Sequence, residues 1–403
     1  MKNCLLLSIV TVAQVSISTV FAQVKPDVSK VGGTNFDVAN CIIQSKDGGY
    51  AITGETYSHG AEGEDVYVVK LNSAGNVKWT KTIGGKGNQY GYSILQTKDG
   101  GYSVIGETFA DSAKGEDIYL VKLDSAGHLK WTKNVGGIGD QYGYSVVETY
   151  DGGYAITGET SAKSGGNEDI YLIKLDAEGA LKWTRTITGQ KHGHGYPVIQ
   201  TKDGGYAIGE YQKDSSTYNN KHYTFSILKL DSAGHSQWTK TLGGGVGRSP
   251  YYIIQTKDGG YAITGVTYLF GQGNGDAYVI KLDAAGNLQW RKTVGGKGKD
   301  IGFSIIQSAD GGYAVTGATN SSGVGNYDVY VMKLDTAGNT KWTKTLGEAG
   351  DDEGQSIIQT SDGGYAIGGF TNADKTSNYN FYAIKLDALG NVQWTKAIGD
   401  DKH

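Results

Sequence analysis

Three of the seven histidines, His192, His194 and His222, fall in the fourth of seven sequence repeats together with Tyr223, and Arg248 opens the repeat that follows. A histidine can take a proton near neutral pH, a tyrosine can return one, and an arginine grips a carboxylate through two parallel N–H donors. That set suits proton abstraction beside a uronate carboxylate, so the five residues are candidate catalytic groups of a polysaccharide lyase or glycoside hydrolase. Two histidines could also ligate a metal, but no His-Glu-x-x-His spacing occurs and no metal is expected. Polar loops carry histidine without chemistry too, as His128 and His235 do in ordinary turns. A non-catalytic reading therefore stands beside the catalytic one.

A second set is built for contact. Tyr90, Tyr92, Tyr142, Tyr144, Tyr196 and Tyr251, with Tyr252, recur where one repeat passes into the next. Tyrosine offers rigid apolar area with a polar tip, which serves glycan and protein recognition alike. A third set, Asp65, Asp117, Asp169, Asp276 and Asp328, heads one strand in five repeats. These read as capped strand ends, with a carboxylate ring for calcium or a polyhydroxyl ligand as the alternative; no twelve-residue calcium loop occurs. The run Asp351-Asp352-Glu353 reads as a solvated loop.

The elements that position these residues follow from a strict period. All seven tryptophans, from Trp79 to Trp394, stand 52 residues apart, with one interval of 55, and Asp-Gly-Gly-Tyr recurs seven times between Asp47 and Asp362 on the same beat. Within one unit, Tyr92–Gln96 and Tyr102–Glu107 flank a Gly-Gly turn, and Asp117–Leu123 and Leu129–Val135 flank Asp-Ser-Ala-Gly. Each pair is a hairpin, and no stretch shows a helical apolar period. Seven units of four antiparallel strands predict an all-β, seven-bladed propeller. Its repeats run at about 33–85, 86–137, 138–189, 190–244, 245–296, 297–348 and 349–400 within one domain, 23–403. The two kinds of tight turn hardly vary and share one face. The longer, variable connections share the other, where a site is expected.

Each tryptophan shares a strand face with aliphatic residues, which predicts an indole wedged between blades, worth up to ~5 kcal/mol if fully buried. Sugar stacking on the seven indoles is the competing reading. The lysine ending the third strand of every unit, Lys70 to Lys385, is expected to pair with the aspartate of an adjacent turn.

The pattern Lys-Leu-Asp-Ser-Ala-Gly-x-x-x-Trp resembles the tryptophan-docking motif of quinoprotein-like propellers, across the whole repeat region. That resemblance implies the fold. The turn is one residue shorter than in that motif, there are seven units where the quinoprotein enzymes have eight, and the adjacent cysteine pair of their cofactor site is missing, so no cofactor is expected. Non-enzymatic members of that group are assembly and interaction scaffolds.

Composition bounds the partners. A formal charge of −4 with scattered lysines leaves no basic stripe for a nucleic acid, and 64 glycines against 3 prolines with 28 tyrosines fit short strands and tight turns. Lys2, the apolar run Leu5–Val12 and Val20-Phe21-Ala22 form a signal peptide over 1–22, so a secreted, periplasmic or cell-surface location is expected. No transmembrane segment is expected in the mature chain, where Cys41 stands alone, so packing must hold the fold. The expected role is a glycan- or protein-binding module on the variable-loop face. A lyase around the fourth repeat and a structural envelope scaffold are the alternatives.

Overall fold

The computed structural model describes residues 36–398 apart from 59–62, 110–115, 137–139, 162–168, 188–192, 214–221, 247, 269–270 and 373–377. The signal segment and His192 lie outside the described residues, as do the side chains of His194, Tyr196, His222, Tyr223 and Arg248.

The described residues form 28 strands in seven sheets, each sheet made of four consecutive antiparallel strands. Blade two shows the plan: β5 (Gln89–Gln96), β6 (Tyr102–Thr108), β7 (Asp117–Leu123) and β8 (Leu129–Val135). The first hairpin turns at Gly100, whose φ of 85° suits glycine, while Asp99 accepts the Gly101 N–H at 3.0 Å. In the second hairpin Asp124 accepts the N–H groups of Ala126 and His128, both at 2.9 Å. No helix among the described residues is long and apolar enough to cross a membrane.

The first strands form the inner ring. Strand β1 (Asp37–Gln44) touches both β5 and β25 (Asp352–Gln359), so blade one packs against blade two and against blade seven. The middle strands of a blade are buried on both faces and the fourth faces outward with alternating exposure. A backbone relay closes the circle. The turn N–H of Lys46 donates to Gln96 Oε1 at 2.8 Å, that of Ala309 to Gln359 at 2.7 Å, and that of Ser361 in blade seven to Gln44 in blade one at 2.9 Å.

Each indole wedges into the following blade. Trp79 meets Tyr102 edge-on at 5.9 Å, and Trp394 meets Tyr50 of blade one at 5.7 Å. The neighbouring turn glycine lies flat against the ring: a Cβ on Gly127 (φ +85°) would stand 2.9 Å from the Trp79 ring. Docking is therefore the tryptophans' role, and each of the seven, only partly exposed, contributes most of the full-burial figure, ~3–4 kcal/mol.

Every lysine that ends a third strand pairs with the aspartate of its own blade's first turn, from Lys70–Asp47 at 2.9 Å to Lys385–Asp362 at 2.9 Å. The lysines are buried and also donate to the next carbonyl, as Lys281 does to Leu282 at 2.7 Å. The run 351–353 is no solvated loop. Asp352 and Glu353 belong to β25, and Asp352 is fully buried, holding the N–H of Glu348 at 2.8 Å.

Candidate functional site

The expected contact tyrosines are not in loops: they lie in the first strands, starting three residues earlier than the apolar run announces. The reason is a bulge. In blade two the register jumps from Gly91 to Ser93, leaving Tyr92 outside the ladder, and the same jump skips Asn40, Tyr144, Tyr251, Phe303 and Gln355 in other blades. A bulge re-aims the side chain it frees, and bulges concentrate beside functional sites. In every blade but the fourth the bulge has a glycine opposite. A Cβ on Gly106 would sit 1.6 Å from the Tyr90 carbonyl oxygen, and one on Gly158 would sit 1.6 Å from that of Tyr142.

At the variable-loop end of this inner ring the freed Tyr92 and Tyr144 and the in-register Tyr90 and Tyr142 form an aromatic arc. Tyr90 and Tyr92 lie parallel at 6.1 Å, Tyr142 and Tyr144 at 6.3 Å, and Tyr92 meets Tyr144 at 6.3 Å with a 47° tilt that joins the two pairs. All four rings are half-buried. Further round, Tyr251 packs on Phe303 at 5.3 Å, while Tyr379 packs on Phe36 at 4.9 Å and Phe370 at 5.1 Å.

Behind the arc stand glutamates that the sequence does not advertise. Glu55, Glu107 and Glu159 are buried at one position of the second strands of blades one to three, while the buried Glu210 of blade four stands one residue earlier, opposite Gly195. Tyr92 donates to Glu107 Oε2 at 3.1 Å, and Asn40 Nδ2 takes the same part for Glu55 at 2.7 Å. Burial pushes the Glu55 carboxyl up to about 8; Asn40 opposes this, and Glu64, Glu107 and Asp37 add to it. Burial also pushes Glu107 up to about 8, Tyr92 pulling it down and Glu116 and Glu159 raising it. The Tyr92 phenol is driven far up by burial and these acids, and so stays a proton donor.

Deeper in the channel, small residues of adjacent blades join hands: Val198 N–H donates to Ser145 Oγ at 3.2 Å and Cys41 Sγ reaches Ile94 O at 3.9 Å. Tyr252 takes this position in blade five. Its ring keeps 39% of its surface open, yet the enclosing protein pushes its hydroxyl up to about 12, with Cys41 of blade one close enough to contribute.

Two of the acids heading the third strands hold loop N–H groups, as a capped strand end would. Asp276 holds the N–H groups of Gln272 and Gly273, and Asp328 those of Val324 and Gly325. No group of three or more metal-ligating side chains occurs among the described residues. The backbone places His194 in β13 (Gly193–Gln200), His222 and Tyr223 in β15 (His222–Leu230) and Arg248 at the head of β17 (Arg248–Gln255), all at strand ends on the variable-loop face. On the opposite face an open groove of about 590 Å³ runs between blades one and two, lined by Lys46, Asp47, Lys78, Trp79, Gln96 and Tyr102 among others.

No family model matches the chain. The regulatory protein FlaEY of Caulobacter vibrioides is 28% identical over 138 residues, which cover 30% of this chain and 14% of that protein. Among solved structures, puromycin hydrolase superposes with a TM-score of 0.60 at 13% identity, over 90% of this chain and 53% of the hydrolase. Sqt1 from Chaetomium thermophilum gives 0.52 at 12% identity, over 91% and 85% of the two chains. The Pan2 WD40 domain of Neurospora crassa gives 0.50 at 10% identity, over 84% and 94%. The chain thus spans about one seventh of FlaEY and about half of the hydrolase, and the structural likenesses establish the propeller fold alone.

Proposed function

We propose that the chain is an exported binding propeller that holds a protein or glycan ligand at the channel mouth on its variable-loop face. The observation that carries this is the arc of half-buried tyrosines set by two neighbouring bulges, tied to buried carboxyls as Tyr92 is to Glu107 at 3.1 Å. Rings fixed before binding lose little entropy on contact, which is what recognition requires. The fold comparisons are compatible with an interaction module, and residues 1–22 have the pattern of an export signal.

The test is a screen of the full chain against glycan and peptide panels, repeated with Tyr92→Ala/Tyr144→Ala. The double variant is expected to weaken retention roughly 30-fold, the loss typical of a truncated hot spot. An unchanged affinity removes the arc from the site. Reading the same screen for ultraviolet-absorbing unsaturated product from uronate polymers tests the lyase alternative around His192, His194, His222, Tyr223 and Arg248. Product formation would assign chemistry to that blade.

A further inference from the structure

The repeat is broken at one place in a systematic way. The strand position that buries Glu55, Glu107 and Glu159 in blades one to three carries Tyr211, Val266, Ala318 and Phe370 in blades four to seven. The residue ahead of the third strand follows suit: Glu64 and Glu116 in blades one and two face Gly275, Tyr327 and Tyr379 in blades five to seven. The second strands of blades one to three therefore back the mouth with carboxyls, and those of blades four to seven do not at this position. Positions that merely hold a blade together show no such split, as the seven Lys–Asp pairs demonstrate.

The stacked tyrosines lie in two of these three blades, and Tyr90 is tied to Glu64 as Tyr92 is to Glu107. The inner carboxyl is incompletely satisfied. Glu107 is only 4% exposed, and its Oε1 has no hydrogen-bond partner while Oε2 takes the Tyr92 hydroxyl. A buried oxygen without a donor, among further carboxyls and beneath half-exposed aromatic rings, is matched by a group that brings positive charge and N–H donors. We propose that this crescent of blades one to three receives an organic cation, an ammonium or guanidinium group borne by a basic peptide segment. This rests on the channel mouth being the binding surface.

The experiment titrates the full chain with an arginine-containing hexapeptide, with the same peptide carrying citrulline, and with agmatine, in 50 and 300 mM salt. The arginine peptide is expected to bind at least tenfold tighter than the citrulline peptide and to weaken with salt. In Glu55→Gln/Glu107→Gln its affinity is expected to fall at least tenfold while the melting temperature does not fall, since glutamine keeps the shape and removes the cost of the buried charge. A structural role would move both together. Equal binding of the two peptides, or an affinity indifferent to salt, overturns the cation. Agmatine binding while the peptide is excluded overturns the peptide as its source. Retention of a neutral glycan alone, lost in Tyr92→Ala/Tyr144→Ala and kept in the glutamine variant, overturns the cation and leaves the mouth as the site.

Discussion

Thermal stability should be greatest between about pH 4 and 5 and should fall by ~10 °C toward pH 9. Two groups of carboxyls act in opposite directions. Burial pushes Glu55 and Glu107 up to about 8, Glu353 to about 7 and Asp352 to about 6, and raises Asp276 and Asp328 as well. A carboxyl with a raised folded pKa contributes stability that is whole below its unfolded value near 4 and is lost as pH climbs through the folded value. For Glu55 and Glu107 the loss is on the order of 4 kcal/mol each, complete only above about pH 8. The turn aspartates behave in the reverse sense. Asp151, Asp203, Asp258, Asp310 and Asp362 lie near 2; desolvation opposes this shift, and hydrogen bonds from the paired lysine, the backbone and the turn threonine, or Lys341 in the case of Asp310, outweigh it. Their contribution is present above about pH 4 and vanishes as pH falls toward 2. They are about half exposed, so solvent screens them and the acid limb is the shallower over this range. Calorimetry across pH 3–9 checks the sign: a melting temperature that rises from pH 5 to pH 8 contradicts the burial of these acids. In Glu55→Gln/Glu107→Gln the alkaline decline should flatten.

Trp394→Ala is expected to cost ~3 kcal/mol in urea denaturation, as much as Trp79→Ala does in the interior of the chain. Both indoles lie against a turn glycine and a buried tyrosine of another blade: Gly127 and Tyr102 for Trp79, and Gly75 and Tyr50 for Trp394. The two contacts differ only in sequence distance, because Trp394 closes the last blade onto the first. An open superhelix would leave Trp394 with nothing to dock against, and its removal would then be nearly silent. Gly75→Ala probes the same joint from the other side. Its φ of +81° disfavours a side chain, and the added Cβ would stand 3.1 Å from the indole.

The fold was legible wherever a local rule repeats. Strands Asp117–Leu123 and Leu129–Val135 are bounded by turn chemistry within a few residues, and the structure keeps both limits. The sequence reads the first strand short, from Tyr92 and not Gln89, because Gly91 looks like loop and only the facing strand shows that Gly91 pairs with Gly106 and that the bulge falls at Tyr92. Burial of Glu107 was hidden for a similar reason. At the end of Tyr102–Thr108 it resembles a solvated strand end, and only the adjoining blade and Tyr92 enclose it. Asp352 misled in the same way, sitting in an acidic run that reads as surface and folds as the head of an inner strand. The tyrosines were found by type and count, whereas their arrangement as two stacked pairs depends on two neighbouring bulges, which no single repeat encodes.

The working surface itself is tested by hydroxyl-radical footprinting of the full chain with and without a ligand retained in the panel screen. The account predicts reduced oxidation of Tyr90, Tyr92, Tyr142 and Tyr144, with Trp79 and Trp131 unchanged. Protection of the tryptophans with the four tyrosines unaltered would place the ligand in the inter-blade grooves of the opposite face and contradict the channel mouth as the site.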